Sequence, residues 1–285
     1  MVRALQRTAL ALAGLVLLGV GGSAATPTLH GTLLEGSLPS KALRGRLAFE
    51  LYLPPGYAAS TERYPVLYFL HGLPASPYAF RGMKTFARAL DRVGKPAIFV
   101  APQGARDGDD DPEYLDWGTG RNWETAMGTE LPRWIDAHYR TIASRHGRAV
   151  VGLSAGGYGA VSLALHHLGS YSVIESWSGY FHPTNRTGTA PLDLGSTAAN
   201  RRASVHSFVR SLRKVFRGRP TFFAFYVGRG DATFRAENQR LHRELAAARV
   251  PHVFELYAGA HEESLWVRHA VTWLGLALNH LAAAR

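Results

Sequence analysis

The spacing of apolar positions divides the chain into alternating strand-like and helix-like segments. Residues 28–34 and 43–53 alternate apolar and polar side chains, the period of antiparallel strands with one covered face, and Pro54-Pro55-Gly56 ends the second. Residues 64–70 and 96–101 are instead continuous apolar runs, which predict strands buried on both faces of a parallel sheet. Residues 149–153, 172–177, 221–227 and 252–257 read as further strands. Between them, helical spacing appears over 78–93 (Phe80, Met83, Phe86, Leu90), 123–139, 158–168, 205–216, 234–249 and 265–283. Residues 105–121 form a polar loop, and 181–203 carry turn residues with little periodicity, as an insertion over one face would. No linker and no internal repeat interrupts the pattern. It predicts one α/β domain over residues 26–285, a mostly parallel central sheet with helices on both faces.

The most informative punctuation is Gly152-Leu153-Ser154-Ala155-Gly156, where an apolar strand stops at a serine flanked by glycines and a helix follows at once. In that strand–turn–helix setting the serine is pushed out of the sheet, with its Oγ open to a base and a substrate. Glycine at 152 and 156 leaves room where a Cβ would meet the neighbouring strand and helix. The turn also aims the first amides of the helix at the site, where they can hold an oxyanion.

Sites in open α/β sheets form at the carboxyl ends of strands. His71-Gly72, Ser154, Asp231 and His261 all follow strands, and three of them appear in the order Ser, Asp, His. Proton traffic assigns their roles. Ser154 becomes a nucleophile when His261 takes its proton, and Asp231 fixes the tautomer of His261 and stabilises the imidazolium. The amides of Leu73 and Ala155 are placed to form an oxyanion hole. Alternatives stay open at this level. Asp231 also suits the N-cap of the helix after Gly230, with Glu237 and Asp193 as substitute acids, and His71 either shapes the oxyanion turn or meets substrate.

The N-terminus changes where the chain is expected to act. Arg3 and Arg7 precede an apolar run over residues 9–20, and Ser23-Ala24-Ala25 offers small residues at a cleavage site. This reads as a secretory signal peptide over residues 1–25, with an uncleaved anchor as the rival, and predicts a secreted or extracytoplasmic protein. The absence of cysteine excludes disulfides, thiol catalysis and lipid modification of the N-terminus. Loss of the leader lowers the formal charge from +11 to +9. The excess is concentrated in residues 201–219, which hold seven Lys or Arg and no acid, and no nucleic-acid motif accompanies it. The apolar stripe there (Val205, Phe208, Val209, Leu212) predicts a docked helix with a basic outer face, a membrane-surface helix being the alternative.

The stretches Tyr64-Pro-Val-Leu-Tyr-Phe-Leu-His-Gly-Leu73, Trp123-Glu-Thr125, Glu130-Leu-Pro-Arg-Trp-Ile-Asp-Ala-His-Tyr139 and Gly152-Leu-Ser-Ala-Gly-Gly-Tyr-Gly-Ala160 resemble the esterase family of α/β hydrolases. That family includes esterase D, feruloyl and acetyl-xylan esterases, siderophore esterases and secreted mycolyltransferases. The resemblance runs over residues 47–276 and includes the Gly259-Ala-His261 ending with Trp266 after it. It implies the α/β-hydrolase fold, the triad Ser154, Asp231 and His261, the Leu73 and Ala155 oxyanion hole, and no cofactor or metal. One departure is Glu262-Glu263, where family members often carry a hydrophobic residue.

Near the site entrance, Arg106-Asp-Gly-Asp-Asp-Asp-Pro-Glu113 invites a calcium reading but lacks the ligand spacing of an EF-hand, so it reads as a solvated acidic loop. Tyr114, Trp117 and Trp123 beside it are candidate substrate contacts. Together these readings predict a serine esterase acting on a small-molecule, glycan or lipid ester, with no nucleic-acid partner. Acyl transfer to a sugar or lipid hydroxyl, or a non-catalytic envelope-binding protein of the same fold, are the alternatives.

Overall fold

The computed structural model describes residues 29–109, 112–185 and 190–285; the expected leader lies outside the described residues. One eight-stranded sheet, in the order β1-β2-β4-β3-β5-β6-β7-β8, organises them. Its strands are β1 (Thr32–Ser40), β2 (Gly45–Leu53), β3 (Val66–Leu70), β4 (Ile98–Pro102), β5 (Arg148–Leu153), β6 (Val173–Trp177), β7 (Phe222–Gly228) and β8 (Val253–Tyr257). β2 pairs antiparallel with both β1 and β4, and every other pairing is parallel. This is the α/β-hydrolase arrangement, with an antiparallel hairpin on one edge of a parallel sheet.

The continuous apolar runs are the central strands, as their composition requires: β3, β4, β5 and β6 are buried at every residue. Alternate side chains feed two cores. Leu67, Phe69, Phe99 and Val151 pack under α1 (Lys84–Val93) and α8 (Glu263–Asn279) through Phe86, Leu90, Trp273 and Leu274. Tyr68, Val100, Val150 and Ile174 face the opposite layer. That layer comprises α2 (Trp123–Thr125), α3 (Leu131–His138), α4 (Ala155–His166), α6 (Val209–Gly218) and α7 (Arg235–Ala247).

Several boundaries differ from the sequence expectation, each for a local reason. β1 continues through Glu35-Gly36-Ser37 to Ser40, because an edge strand with one exposed face tolerates polar residues that otherwise read as loop. The helix expected over 123–139 is divided by a π turn at Ala126–Glu130 just ahead of Pro132. Proline cannot donate to the carbonyl four residues back and its ring crowds that carbonyl, and a wider turn relieves both. The insertion expected to be irregular contains α5 (Thr197–Ala203), started by Ser196, whose Oγ accepts from the Ala199 amide at 3.1 Å. The basic segment does form a docked helix: α6 buries Val209, Leu212 and Phe216 and turns Arg210, Arg213, Lys214 and Arg217 outward.

The β5–α4 turn is packed against backbone on both sides. A Cβ on Gly152 would lie 2.1 Å from the Gly156 carbonyl oxygen, and one on Gly156 would lie 2.1 Å from that of Leu70 on β3. Both obstacles are backbone, so neither yields by rotating a side chain. Gly156→Ala is therefore expected to destabilise the protein by about 2 kcal/mol or more in urea unfolding, whereas Gly82→Ala, with open space around the added methyl, is neutral. A cost below about 0.5 kcal/mol for Gly156→Ala would show that the turn relaxes freely.

Candidate active site

Ser154 occupies the turn between β5 and α4 with φ 53° and ψ −122°, a conformation L residues rarely adopt. Its neighbours over-determine it. The Ser154 amide donates to the Trp177 carbonyl at 2.9 Å, and its carbonyl accepts from Gly157 at 2.8 Å and Tyr158 at 3.2 Å. The side chain that emerges meets an imidazole: His261 Nε2 lies 2.9 Å from Ser154 Oγ.

His261 follows β8, and Asp231 follows β7. Two backbone bonds hold these loops together, Arg229 N–H to the Tyr257 carbonyl (2.7 Å) and Gly230 N–H to that of Gly259 (2.8 Å). His261 Nδ1 lies 2.9 Å from Asp231 Oδ2. The Asp231 side chain is fully buried, and its other oxygen accepts from the amides of Phe234 (2.8 Å) and Thr233 (3.1 Å). Asp231 is thus not the N-cap of α7, which is Phe234; it braces the turn ahead of that helix and faces the histidine. A carboxylate on Nδ1 keeps the proton there and leaves Nε2 to accept from the serine hydroxyl. Phe234 and Trp266 flank the imidazole with ring centroids at 5.0 and 5.1 Å.

The substitute acids are engaged elsewhere. Glu237 accepts from the Phe181 amide and faces His182, while Asp193 accepts from the Gly195 amide and Asn200 Nδ2. Glu262 and Glu263, the departure from the family pattern, are both solvent-exposed, and Glu262 Oε1 accepts from the Ala260 amide at 3.4 Å.

On the other side of Ser154, Leu73 and Ala155 line one narrow crevice together with His71, Gly104 and Tyr114. His71 is buried; its Nδ1–H donates to the Gly72 carbonyl at 2.8 Å, and its own carbonyl accepts from Tyr114 Oη at 2.6 Å. Burial lowers its pKa, so a neutral imidazole shapes this turn.

A model of the family described as "Putative esterase" matches residues 40–272. The chain belongs to that family. Within this esterase family it is 38% identical over 127 residues to an esterase of Mycobacterium tuberculosis, covering 45% of this chain and 28% of that protein. It is 30% identical over 140 residues to the diacylglycerol acyltransferase/mycolyltransferase Ag85A of Mycobacterium leprae, 46% of this chain and 40% of that protein. The chain therefore spans less than half the length of these two relatives. The solved S-formylglutathione hydrolase from Agrobacterium tumefaciens superimposes with a TM-score of 0.75 over 90% of this chain and 98% of that one, at 19% identity, and so shares the fold.

The loops around Ser154 sort the aromatic and acidic residues in ways the sequence did not show. Trp117 is 38% exposed and lines a cleft with Leu115, Leu194 and Arg202. Trp123, also expected at substrate, is instead wholly buried in the core, because it opens α2 on the face toward the sheet. Asp110 and Asp111 of the acidic loop lie outside the described residues, and the rest of that loop is only partly solvated. Asp109 pairs with Arg121 at 2.9 Å. Glu113 is buried, accepting from Tyr180 Oη (2.7 Å), the Thr184 amide (2.8 Å) and Thr184 Oγ1 (3.2 Å). It thereby ties the loop to the segment after β6.

Glu124, at the base of the Trp117 cleft, meets Arg202 at 2.8 Å, His166 Nδ1 at 3.1 Å and His167 Nε2 at 3.5 Å. Burial alone would raise its pKa, but the two histidines and the Arg202 charge hold it at about 2 against an ordinary 4.5. A carboxylate whose folded pKa is depressed stabilises the protein above its unfolded pKa, and that contribution is lost as pH falls from 4.5 toward 2. Because Arg202 is largely exposed, the contribution is on the order of 1–2 kcal/mol. The stability gap between wild type and Glu124→Gln is expected to close across this window in acid titrations followed by thermal unfolding, and a gap that stays constant would exclude the mechanism.

Proposed function

We propose that this chain is a serine esterase that hydrolyses carboxylic esters through an acyl-enzyme. The observation that carries the reading is the continuous relay from buried Asp231 through His261 to Ser154 Oγ, with both bonds at 2.9 Å. In the proposed cycle His261 Nε2 takes the Ser154 proton as Oγ attacks the ester carbonyl, and returns it to the leaving alcohol. The negative oxygen of the tetrahedral intermediate lies between the Leu73 and Ala155 amides at the α4 N-terminus, where backbone donors and helix dipole act together. Water, activated by the same histidine, then releases the acid and restores Ser154. Every proton and charge in this cycle is handled by side chains and amides of the chain itself.

The resemblance to Ag85A favours a second outcome of the same intermediate, in which a sugar or lipid hydroxyl enters in place of water. The two reactions share the first half of the cycle and differ only in the acceptor. The exposed Trp117 cleft is the proposed docking place for the ester's outer portion. The N-terminal leader pattern supports export, and the basic outer face of α6 supports peripheral contact with an anionic envelope.

A fluorophosphonate probe is expected to label wild type at Ser154 and to leave Ser154→Ala and His261→Ala unlabelled. Asp231→Asn, which favours the wrong imidazole tautomer, is expected to lower kcat on a p-nitrophenyl ester by about 10³–10⁴-fold with KM little changed. Labelling that survives Ser154→Ala would overturn the reading. Transesterification product formed with an added acceptor alcohol, measured against free acid, distinguishes transfer from hydrolysis.

A further inference from the structure

Away from Ser154, a second group of histidines and carboxylates sits where the segment after β6 meets α7. His182 Nδ1 lies 2.7 Å from Glu237 Oε1, and His206 Nε2 lies 3.5 Å from the same oxygen. The three donor atoms all fall within 4.8 Å of one another, and among the described residues no other set of three such donors does so. His206 is oriented from behind: its Nδ1 is 2.5 Å from Glu244 Oε2, and Arg240 Nε holds the other Glu244 oxygen at 2.8 Å. Its Nε2 faces Glu237, where it is buried without a well-aligned hydrogen bond. A cleft lined by His182, His206, Asp193 and Arg240 connects the group to solvent.

We propose that His182, His206 and Glu237 form a binding site for a divalent first-row transition ion, with zinc as its best fit. Two imidazole nitrogens and one carboxylate oxygen are the donor set of zinc and its neighbours, not of calcium or magnesium, which seek oxygen throughout. Glu244 supplies the outer carboxylate that typically orients a ligating imidazole. The ion takes the place of the proton between His182 and Glu237, and the donors open to the edge of a tetrahedral site, about 3.3 Å for bonds near 2.0–2.1 Å. Solvent in the cleft completes the coordination. The three ligands come from separate parts of the chain: His182 follows β6, His206 lies between α5 and α6, and Glu237 belongs to α7. The site's role is structural, since it clamps the stretches around His182 and His206 onto α7. Tyr180, next to that clamp, stacks on Tyr158 of α4 and packs on Phe234 beside His261. The bound ion therefore stiffens one wall of the esterase site without entering the reaction.

The test uses the full chain purified without a histidine tag, stripped with a chelator and titrated with zinc against a chromophoric competitor. One zinc per chain is expected, together with a rise in Tm and, with cobalt in its place, visible absorption of four-coordinate strength. His206→Gln and Glu237→Gln are each expected to weaken binding about 100-fold or more. Glu244→Gln, which touches only the orienting carboxylate, is expected to weaken it about 10–100-fold while fluorophosphonate labelling of Ser154 is unchanged. Should either ligand variant fail to fold, the Glu244→Gln shift still decides the matter. No zinc uptake in excess metal, or uptake unchanged in the His182→Gln/His206→Gln double variant, would overturn the proposal.

Discussion

Everything at the carboxyl edge of the sheet depends on holding the Ser154 backbone where it does not relax. A non-glycine residue in such a conformation carries on the order of 1–3 kcal/mol of strain, and it persists only when its surroundings leave no alternative. Here the constraint is propagated strand by strand. The Ser154 amide is bonded to the end of β6 at Trp177, the Ser178 amide to β7 at Tyr226, and the loop after β7 to the end of β8 and the loop beyond it through Arg229 and Gly230. A ladder of backbone bonds thus extends past the strands, from Ser154 to the turn that carries His261. The two 2.9 Å contacts of the relay are set by this edge, with few side-chain rotations left to chance.

What the chain's pattern made legible follows from the same geometry. Ser154, Asp231 and His261 each sit within a few residues of the end of a strand, and a strand end is a place, not just a residue type, so order along the chain translated into proximity in space. The central strands were equally legible, because burial on both faces leaves them mostly apolar, with Arg148, Glu175 and Ser176 as buried exceptions. The edge strand β1 was not, since half its residues face solvent and Glu35-Gly36-Ser37 has the composition of a turn.

The loops hid their contents for a different reason: without a period, nothing in the sequence separates a buried residue from an exposed one. Glu113 and Asp107 stand six residues apart in one acidic stretch, yet one is buried on Tyr180 and Thr184 and the other faces water. Glu113 and Tyr114 both adopt positive φ (49° and 55°), a reversal that turns their side chains into the molecule and that no residue type announces. Trp117 and Trp123 show the same ambiguity among aromatics. Their fates are set by where α2 begins, and the second lies on the sheet-facing side of that helix.

One chemical unit, a carboxylate on histidine Nδ1, occurs twice in this fold with different consequences. Asp231 orients His261 and Glu244 orients His206, and in both cases Nε2 faces the second group. The outcome is decided by what stands opposite. Across from His261 is a neutral hydroxyl on a strained turn, which can surrender a proton and then form a bond to carbon, so the unit suits nucleophilic catalysis. Across from His206 is the carboxylate of Glu237 with a second imidazole beside it, groups that attract a cation and include no hydroxyl nucleophile. Asp231 is itself fully buried and locked by two amides, as a fixed electrostatic partner must be. Glu244 is partly exposed and held by one surface arginine, which suffices for orienting a ligand but not for a reaction that develops charge on the ring.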